Sequence, residues 1–379
     1  MDKSKKITII GAGIAGLTTA IALKQKGFQV EIYESTEKFK DVGSGINLAI
    51  NAMQIFKRLG IYEDIRTNGH HTKSMNIRSQ KLGYLAKASL LDFEADYNVQ
   101  AVAIHRATLH KILLKHIGDT KIHLNKKLKS IIKDKDSTVL AFEDDTVRFT
   151  DIVIGADGIH SAVRKSIFRD TSLRDAKQIC WRGISTIKID SQFNNELNEI
   201  WGQGTRFGFV HINDQQVYWF GLMDKNMFYK NKPNVSSVFA NYHPTVQSII
   251  QHTPEEKIIQ GEIWDLQPLE KWYKDTVCLV GDACHATTPN LGQGAVQAIE
   301  SAYVLSNCLS KEQSLETTFE TYQSIRIKKA RHVIDTSWRI GKLAQSNNKI
   351  VCLIRDFLVK LTPSKVMKKQ NAKVFELDY

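Results

Sequence analysis

The chain has 379 residues, 42% of them hydrophobic and 24% charged, enough for two domains or one large sheet with a second lobe around a sizeable core. Its net charge of +12 comes from scattered lysines with no nucleic-acid-binding signature, so the surface reads as lysine-rich and solvated, or as a field that draws in anionic ligands. No run approaches the roughly 18 apolar residues of a membrane span, the N-terminus lacks a secretory leader, and the cysteines (Cys180, Cys278, Cys284, Cys308, Cys352) include no C-x-x-C pair, all of which predicts a cytoplasmic protein with reduced thiols.

Lys6-Ile7-Thr8-Ile9-Ile10 reads as a short buried strand and runs at once into Gly11-Ala12-Gly13-Ile14-Ala15-Gly16. A helix follows from Leu17 to Lys26, with Leu17, Ala20, Ile21 and Leu23 on one side and Gly27 closing it, and Gln29 to Tyr33 forms a second strand ending at Glu34. The three glycines serve different ends. Gly11 allows the tight turn, Gly13 lets the backbone approach a pyrophosphate, and Gly16 permits close helix–strand packing. The helix start offers free N–H groups and a partial positive charge. Glu34, 21 residues after Gly13, is placed to bind ribose hydroxyls. The pattern predicts a dinucleotide site without choosing the dinucleotide.

Asp151 to Ile154 reads as a strand entering the turn Gly155-Ala156-Asp157-Gly158, with Ser161, Val163 and Arg164 on a following helix. Residues 177–275 change texture. Cys180–Ile187, Arg206–Ile212 and Gln216–Phe220 alternate with turn residues and predict antiparallel strands, suited to a lobe that covers a cofactor. Thr276 to Val280 forms another buried strand, ending at Gly281-Asp282-Ala283 and leading through Pro289-Asn290-Leu291-Gly292-Gln293-Gly294-Ala295 into a helix. Asp282 can accept a bond from a ribityl hydroxyl. Gly292, Gly294, Ala295 and Val296 offer N–H groups at a helix start, suited to a flavin pyrimidine edge.

Ile350, Val351, Ile354, Phe357, Leu358 and Leu361 form an apolar stripe at helical spacing in a lysine-rich C-terminal segment. The stripe is expected to pack on its own domain, the alternative being a membrane-surface helix. His70, His71 and His285 make no ligand set, and no metal is predicted.

The three motifs in this order resemble the class A flavoprotein hydroxylases typified by p-hydroxybenzoate hydroxylase, over roughly residues 5 to 365. Within that family the chain is similar to small single-component members such as salicylate hydroxylase, FAD-dependent urate hydroxylase and tetracycline-modifying monooxygenase. The resemblance implies an α/β fold: a GR2-type Rossmann-like FAD-binding domain, discontinuous over 1–70, 100–176 and 276–345. An inserted antiparallel β-sheet substrate domain over 71–99 and 177–275 and a C-terminal helical segment over 346–379 complete it. It implies FAD, with NADPH or NADH as a transient co-substrate, O2 and a small-molecule substrate, and a monomer. No second G-x-G-x-x-G exists for a separate nicotinamide domain.

By resemblance, Glu34 and Ser35 bind ribose, and Ser44 and Gly45, in Gly43-Ser44-Gly45-Ile46, lie beside the isoalloxazine. Arg106 lies near the flavin chain, or makes a surface ion pair. Leu128 contacts adenine through its backbone, or is strand core. Asp157 belongs to a motif implicated in FAD and NAD(P)H binding, and Pro289 lies beside the flavin. Arg206 matches an arginine implicated in catalysis and Tyr218 a substrate-contacting tyrosine, the alternatives being a paired strand arginine and a core aromatic. Where urate-hydroxylating members carry asparagine this chain has Arg182, which argues against urate itself.

The activity so implied is an NAD(P)H-consuming monooxygenase that inserts one oxygen atom into a small aromatic or heteroaromatic substrate through a flavin C4a-hydroperoxide. Oxidation of a non-aromatic or antibiotic scaffold, an oxygen-independent flavin saturase and a non-catalytic FAD sensor are the alternatives.

Overall fold

A computed structural model describes residues 1–40, 44–134, 137–169, 171–311 and 314–379. Gly43 of the expected flavin loop lies outside these.

The first strand, Ile7–Ile10, sits at the centre of a six-stranded sheet ordered Lys121–His123, Val30–Tyr33, Ile7–Ile10, Ile152–Gly155, Val277–Leu279, Tyr273–Lys274. All pairs are parallel except the last, which is antiparallel. Ile7–Ile10, Ile152–Gly155 and Val277–Leu279 are buried throughout, as strands with both faces covered must be. One cover is formed by the helix Ile14–Gln25, which packs on Gly294–Lys311. A Cβ on Gly281 would lie 2.9 Å from Ala15 Cβ and 3.0 Å from Ala298 Cβ, so the third motif is wedged between these two helices.

A second sheet of seven strands runs Ile259–Leu266, Leu173–Ser185, Val217–Asp224, Thr205–His211, Glu196–Trp201, Ser74–Ser79, Tyr84–Ser89. It departs from the antiparallel expectation at one join. Glu196–Trp201 and Ser74–Ser79 are parallel, because the last hairpin comes from far upstream and no tight turn dictates its direction. One face of this sheet carries its own core, where Phe207 stacks on Trp219 at 5.5 Å and the helix Pro244–Gln251 contributes Val246, Ile249 and Ile250. A small sheet of Gly45–Leu48, Val102–His105 and His70–His71 provides the strand that meets the other face.

The 30-residue helix Leu315–Ala344 follows Gly294–Lys311. The C-terminal helical segment is two helices, Lys349–Leu361 and Ser364–Phe375, broken at Thr362-Pro363 where proline cannot continue the first. The expectation that the stripe packs is overturned. Ile350, Val351, Ile354, Phe357, Leu358 and Leu361 are all exposed, and of this helix only Cys352 and Arg355 are buried. The physical reason is a polar anchor: Arg355 donates to Gly202 O and Ala344 O and lies over the Trp201 ring, so the docked side is narrow and the apolar side faces out. No helix among the described residues is long and apolar enough to cross a membrane.

Candidate active site

At the carboxyl ends of the parallel strands, Gly11 has φ +103°, and a Cβ there would lie 2.5 Å from Ala156 O, so the first and second motifs touch through backbone. A Cβ on Gly16 would lie 1.9 Å from Gly11 O, whereas one on Gly13 would meet nothing within 4 Å. The loop is therefore closed on the protein side and open where a phosphate would approach, with the first-turn N–H groups of Ile14 and Ala15 unclaimed by helical bonding.

Glu34 accepts from Ala12 N at 2.7 Å, from Thr36 N at 2.9 Å and from Ser35 Oγ at 3.1 Å, which fixes its carboxylate at the loop's edge. Lys126 N donates to Glu34 O at 2.8 Å, bringing the start of the strand Leu128–Asp134 alongside. The Leu128 side chain is core. These features fit a bound dinucleotide.

In the second motif, Asp157 accepts from Ser161 Oγ at 2.5 Å and from Val163 N at 3.1 Å, which supports Ser161 as the N-cap of the helix Ala162–Ile167. Buried Arg164 donates to Ala283 O at 3.0 Å and Ile159 O at 2.6 Å, tying the second motif to the third. Asp282 is open to solvent at the groove, where the surrounding protein raises its carboxyl pKa and the Arg106 guanidinium opposes that. His285 is buried, bonded to Ser301 Oγ at 2.9 Å and pushed down to about 3, hence a neutral core histidine.

Pro289–Leu291 forms a single tight turn, and Gly292 at φ +62° turns the chain into Gly294–Lys311, with Gly294 and Ala295 half-buried and Val296 buried. A wholly buried network secures this helix start. Gln293 accepts from Asn51 and Gln297, and Glu300 accepts from Asn51, from Gln297 at 3.0 Å and from Arg326 at 2.6 Å. Tyr379 OH and Lys329 add further contacts to Glu300. Sequence reading missed this network. Its signal was Gln293, Gln297 and Glu300 at helical spacing across the start of a helix whose first half is otherwise mostly apolar.

Ser44 O accepts from Arg106 N at 2.8 Å, setting the strand Gly45–Leu48 beside the helix that Arg106 begins. A Cβ on Gly45 would fall 2.4 Å from Tyr218 Cγ, so the tyrosine lies directly against this strand. Tyr218 shares its sheet face with Val210, Ile184 and Arg182. Burial raises its phenol pKa, against the opposing charges of Arg182 and Arg106, and it stays neutral.

Arg206 is fully buried, and each of its guanidinium nitrogens donates: Nη1 to Glu199 at 3.0 Å, Nε to Gln345 at 3.1 Å, and Nη2 to Asn290. The structure thus brings Tyr218 to Gly45 and Arg206 to the Pro289 turn. Arg182 Nε, on the Tyr218 face, and Asn47 Oδ1, two residues beyond Gly45, are buried without a hydrogen-bond partner among the described residues, as are Ser185 Oγ and the ring nitrogens of His211, whose pairing with Val217 puts them on the opposite face of the sheet. The His211 ring lies 5.4 Å from that of His70, and burial lowers its pKa, only partly offset by the Asn213 main chain and Asp214.

Cavities of about 590 and 660 Å³ lie elsewhere, the first at the amino ends of the parallel strands near Lys5 and the second near Arg66. Neither touches the motifs, and in open α/β sheets ligands bind at the carboxyl ends.

The family model described as FAD binding domain matches residues 4–337. An aurachin C monooxygenase/isomerase from Stigmatella aurantiaca is 30% identical over 368 residues, 96% of each chain. The chain belongs to the class A FAD-dependent monooxygenases. A 6-hydroxynicotinate 3-monooxygenase from Bordetella bronchiseptica is 29% identical, covering 88% of this monooxygenase and 90% of its own chain. Klebsiella pneumoniae HpxO, solved with FAD and uric acid, shares the fold at a TM-score of 0.89 and 23% identity, covering 99% of this monooxygenase and 97% of that chain. FAD is the cofactor, and the three motifs meet at the carboxyl ends of the parallel strands, through Gly11 on Ala156 and Arg164 on Ala283 O.

Proposed function

We propose that this monooxygenase consumes NADPH or NADH and O2 to insert one oxygen atom into a small, planar, nitrogen-containing heteroaromatic substrate, releasing the second oxygen atom as water. Bound FAD supplies the redox chemistry, taking a hydride from the nicotinamide and activating O2. The chain's residues bind, orient and desolvate.

One observation carries the substrate class: the unpartnered Arg182 Nε on the Tyr218 face of the sheet, with the unpartnered Asn47 Oδ1 two residues from Gly45 on the strand that Tyr218 lies against. Buried polar atoms without partners are costly, and a ring carrying both donors and acceptors would satisfy them. The cationic Arg182 and Arg106 near Tyr218 favour a substrate bound as its phenolate or enolate, the electron-rich form that accepts an electrophilic oxygen. Neutral Tyr218 serves as a hydrogen-bond partner and not as a base. Arg206 orients the site by holding Asn290, and with it the Pro289–Leu291 turn, against the seven-stranded sheet. The Bordetella relative is named for hydroxynicotinate and the Klebsiella structure contains uric acid, both nitrogen heteroaromatics.

The test is NAD(P)H oxidation by the FAD-loaded protein against hydroxypyridine carboxylates, hydroxyquinolones, urate and salicylate, with product mass after ¹⁸O2. Substrate-dependent oxidation with one labelled atom in a heteroaromatic product is the expected result. Turnover of salicylate alone would overturn the substrate class, and oxidation without label incorporation would overturn oxygen insertion.

A further inference from the structure

Six residues of the helix Lys349–Leu361, namely Ile350, Leu353, Ile354, Phe357, Leu358 and Leu361, are between 55% and 68% exposed. At 3.6 residues per turn they and Val351 occupy an arc of roughly 160°. Isolated exposed apolar residues are ordinary, but a continuous helical face marks an interaction surface. The opposite side is held down by Arg355 on Gly202 O and Ala344 O, and by Cys352 Sγ on Ser346 O. The face is therefore presented outward by a fixed helix.

Its surroundings decide what covers it. Lys349 and Lys360 border one edge of the arc, and the adjoining helix Ser364–Phe375 adds exposed Lys365, Lys368, Lys369 and Lys373 beside Val366, itself 43% exposed. Among the acidic groups nearby, Asp356 is bonded to Arg355 and Asp92 to Lys368. We propose that this face docks on an anionic lipid bilayer, with the apolar arc in the headgroup–acyl boundary and the lysines against lipid phosphates. Charge selects this occupant over a second copy of the chain, whose symmetric face would bring the same lysines together.

The segment entering the helix is also tied to the site. Gly204 N donates to Ser346 O at 2.7 Å, and Gln345 holds Arg206. Docking would thus place the edge of the substrate-side sheet next to the membrane.

The test uses the full-length, FAD-loaded protein and flotation with vesicles of phosphatidylcholine alone or mixed with phosphatidylglycerol in about a seven-to-three ratio. Expected is at least about tenfold stronger binding to the anionic vesicles, reversed by high salt. The Ile354→Glu/Phe357→Glu variant should lose that binding with FAD content and Tm unchanged, and Lys365→Glu/Lys369→Glu should weaken it. Absence of vesicle binding by the wild type, or equal binding to both compositions, overturns the proposal. So does a concentration-dependent dimer in light scattering that Ile354→Glu/Phe357→Glu abolishes, since the face would then belong to a second copy.

Discussion

Arg206 Nη2 donates to Asn290 Oδ1 across the boundary between the seven-stranded sheet and the turn that leads into Gly294–Lys311. Asn290 is itself pinned by bonds from its Nδ2 to Thr288 Oγ1 and Ser337 O, each 2.9 Å, so the arginine connects the seven-stranded sheet to a fixed turn at the start of Gly294–Lys311.

Removing that connection should separate binding from turnover. Arg206→Ala leaves Glu199 without its cation and frees the Pro289 turn, whereas the first glycine loop is untouched. The variant should retain FAD, read from its visible absorbance, while kcat/KM falls by about 10² or more, the cost expected for a mispositioned site. Unchanged turnover would retire the role.

Gly45 lacks room for even one carbon. In Gly45→Ala the new Cβ would collide with the Tyr218 ring, and relief by moving the tyrosine is expected to cost about 1–3 kcal/mol of stability, as overpacking does. Turnover should drop further than FAD content. A fully active Gly45→Ala would show that Tyr218 need not lie against this strand.

The Glu300–Arg326 pair has both side chains at 0% exposure. Replacing one partner alone, as in Arg326→Met, leaves the buried Glu300 carboxylate with Lys329 in place of two cations and should destabilise by up to about 3–5 kcal/mol, whereas Glu300→Leu/Arg326→Met should recover part of that loss. Denaturant unfolding of wild type, single and double variants measures both. Equal loss in single and double variants would show that packing, not charge, governs the site.

His285 has a folded pKa depressed from 6.5 to about 3 by burial, with the Arg326 charge adding to it. Its contribution to stability is complete above pH 6.5. As pH falls below 6.5 the unfolded chain takes up a proton that the folded chain refuses until about pH 3, so stability declines across that window. His285→Asn keeps a neutral polar group and cannot titrate. Thermal unfolding at pH 7, 6 and 5 with saturating FAD should show a shallower decline in the variant, some slope remaining because His70 and His211 are depressed as well. Identical slopes would place the proton elsewhere.

The sequence by itself determined the parts that contiguous residues specify. The Gly11–Gly16 turn, the helix after it, Glu34 one strand later, and the Gly281-Asp282-Ala283 strand end all follow from local conformational rules and spacing, and they predict a dinucleotide site; FAD came from the resemblance of the ordered motifs to a known family. Tertiary structure alone decided which faces meet. The union of Glu300 with Arg326, the placement of Arg206 on Asn290, the contact of Tyr218 with Gly45 and the parallel join at Ser74–Ser79 each link residues far apart in the chain, so no local pattern encodes them. The same limit explains the C-terminal helix. Periodicity revealed that Ile350, Ile354, Phe357 and Leu361 share a face, but amphipathicity states only that a helix has two sides; the bonds of Arg355 chose which side the protein covers.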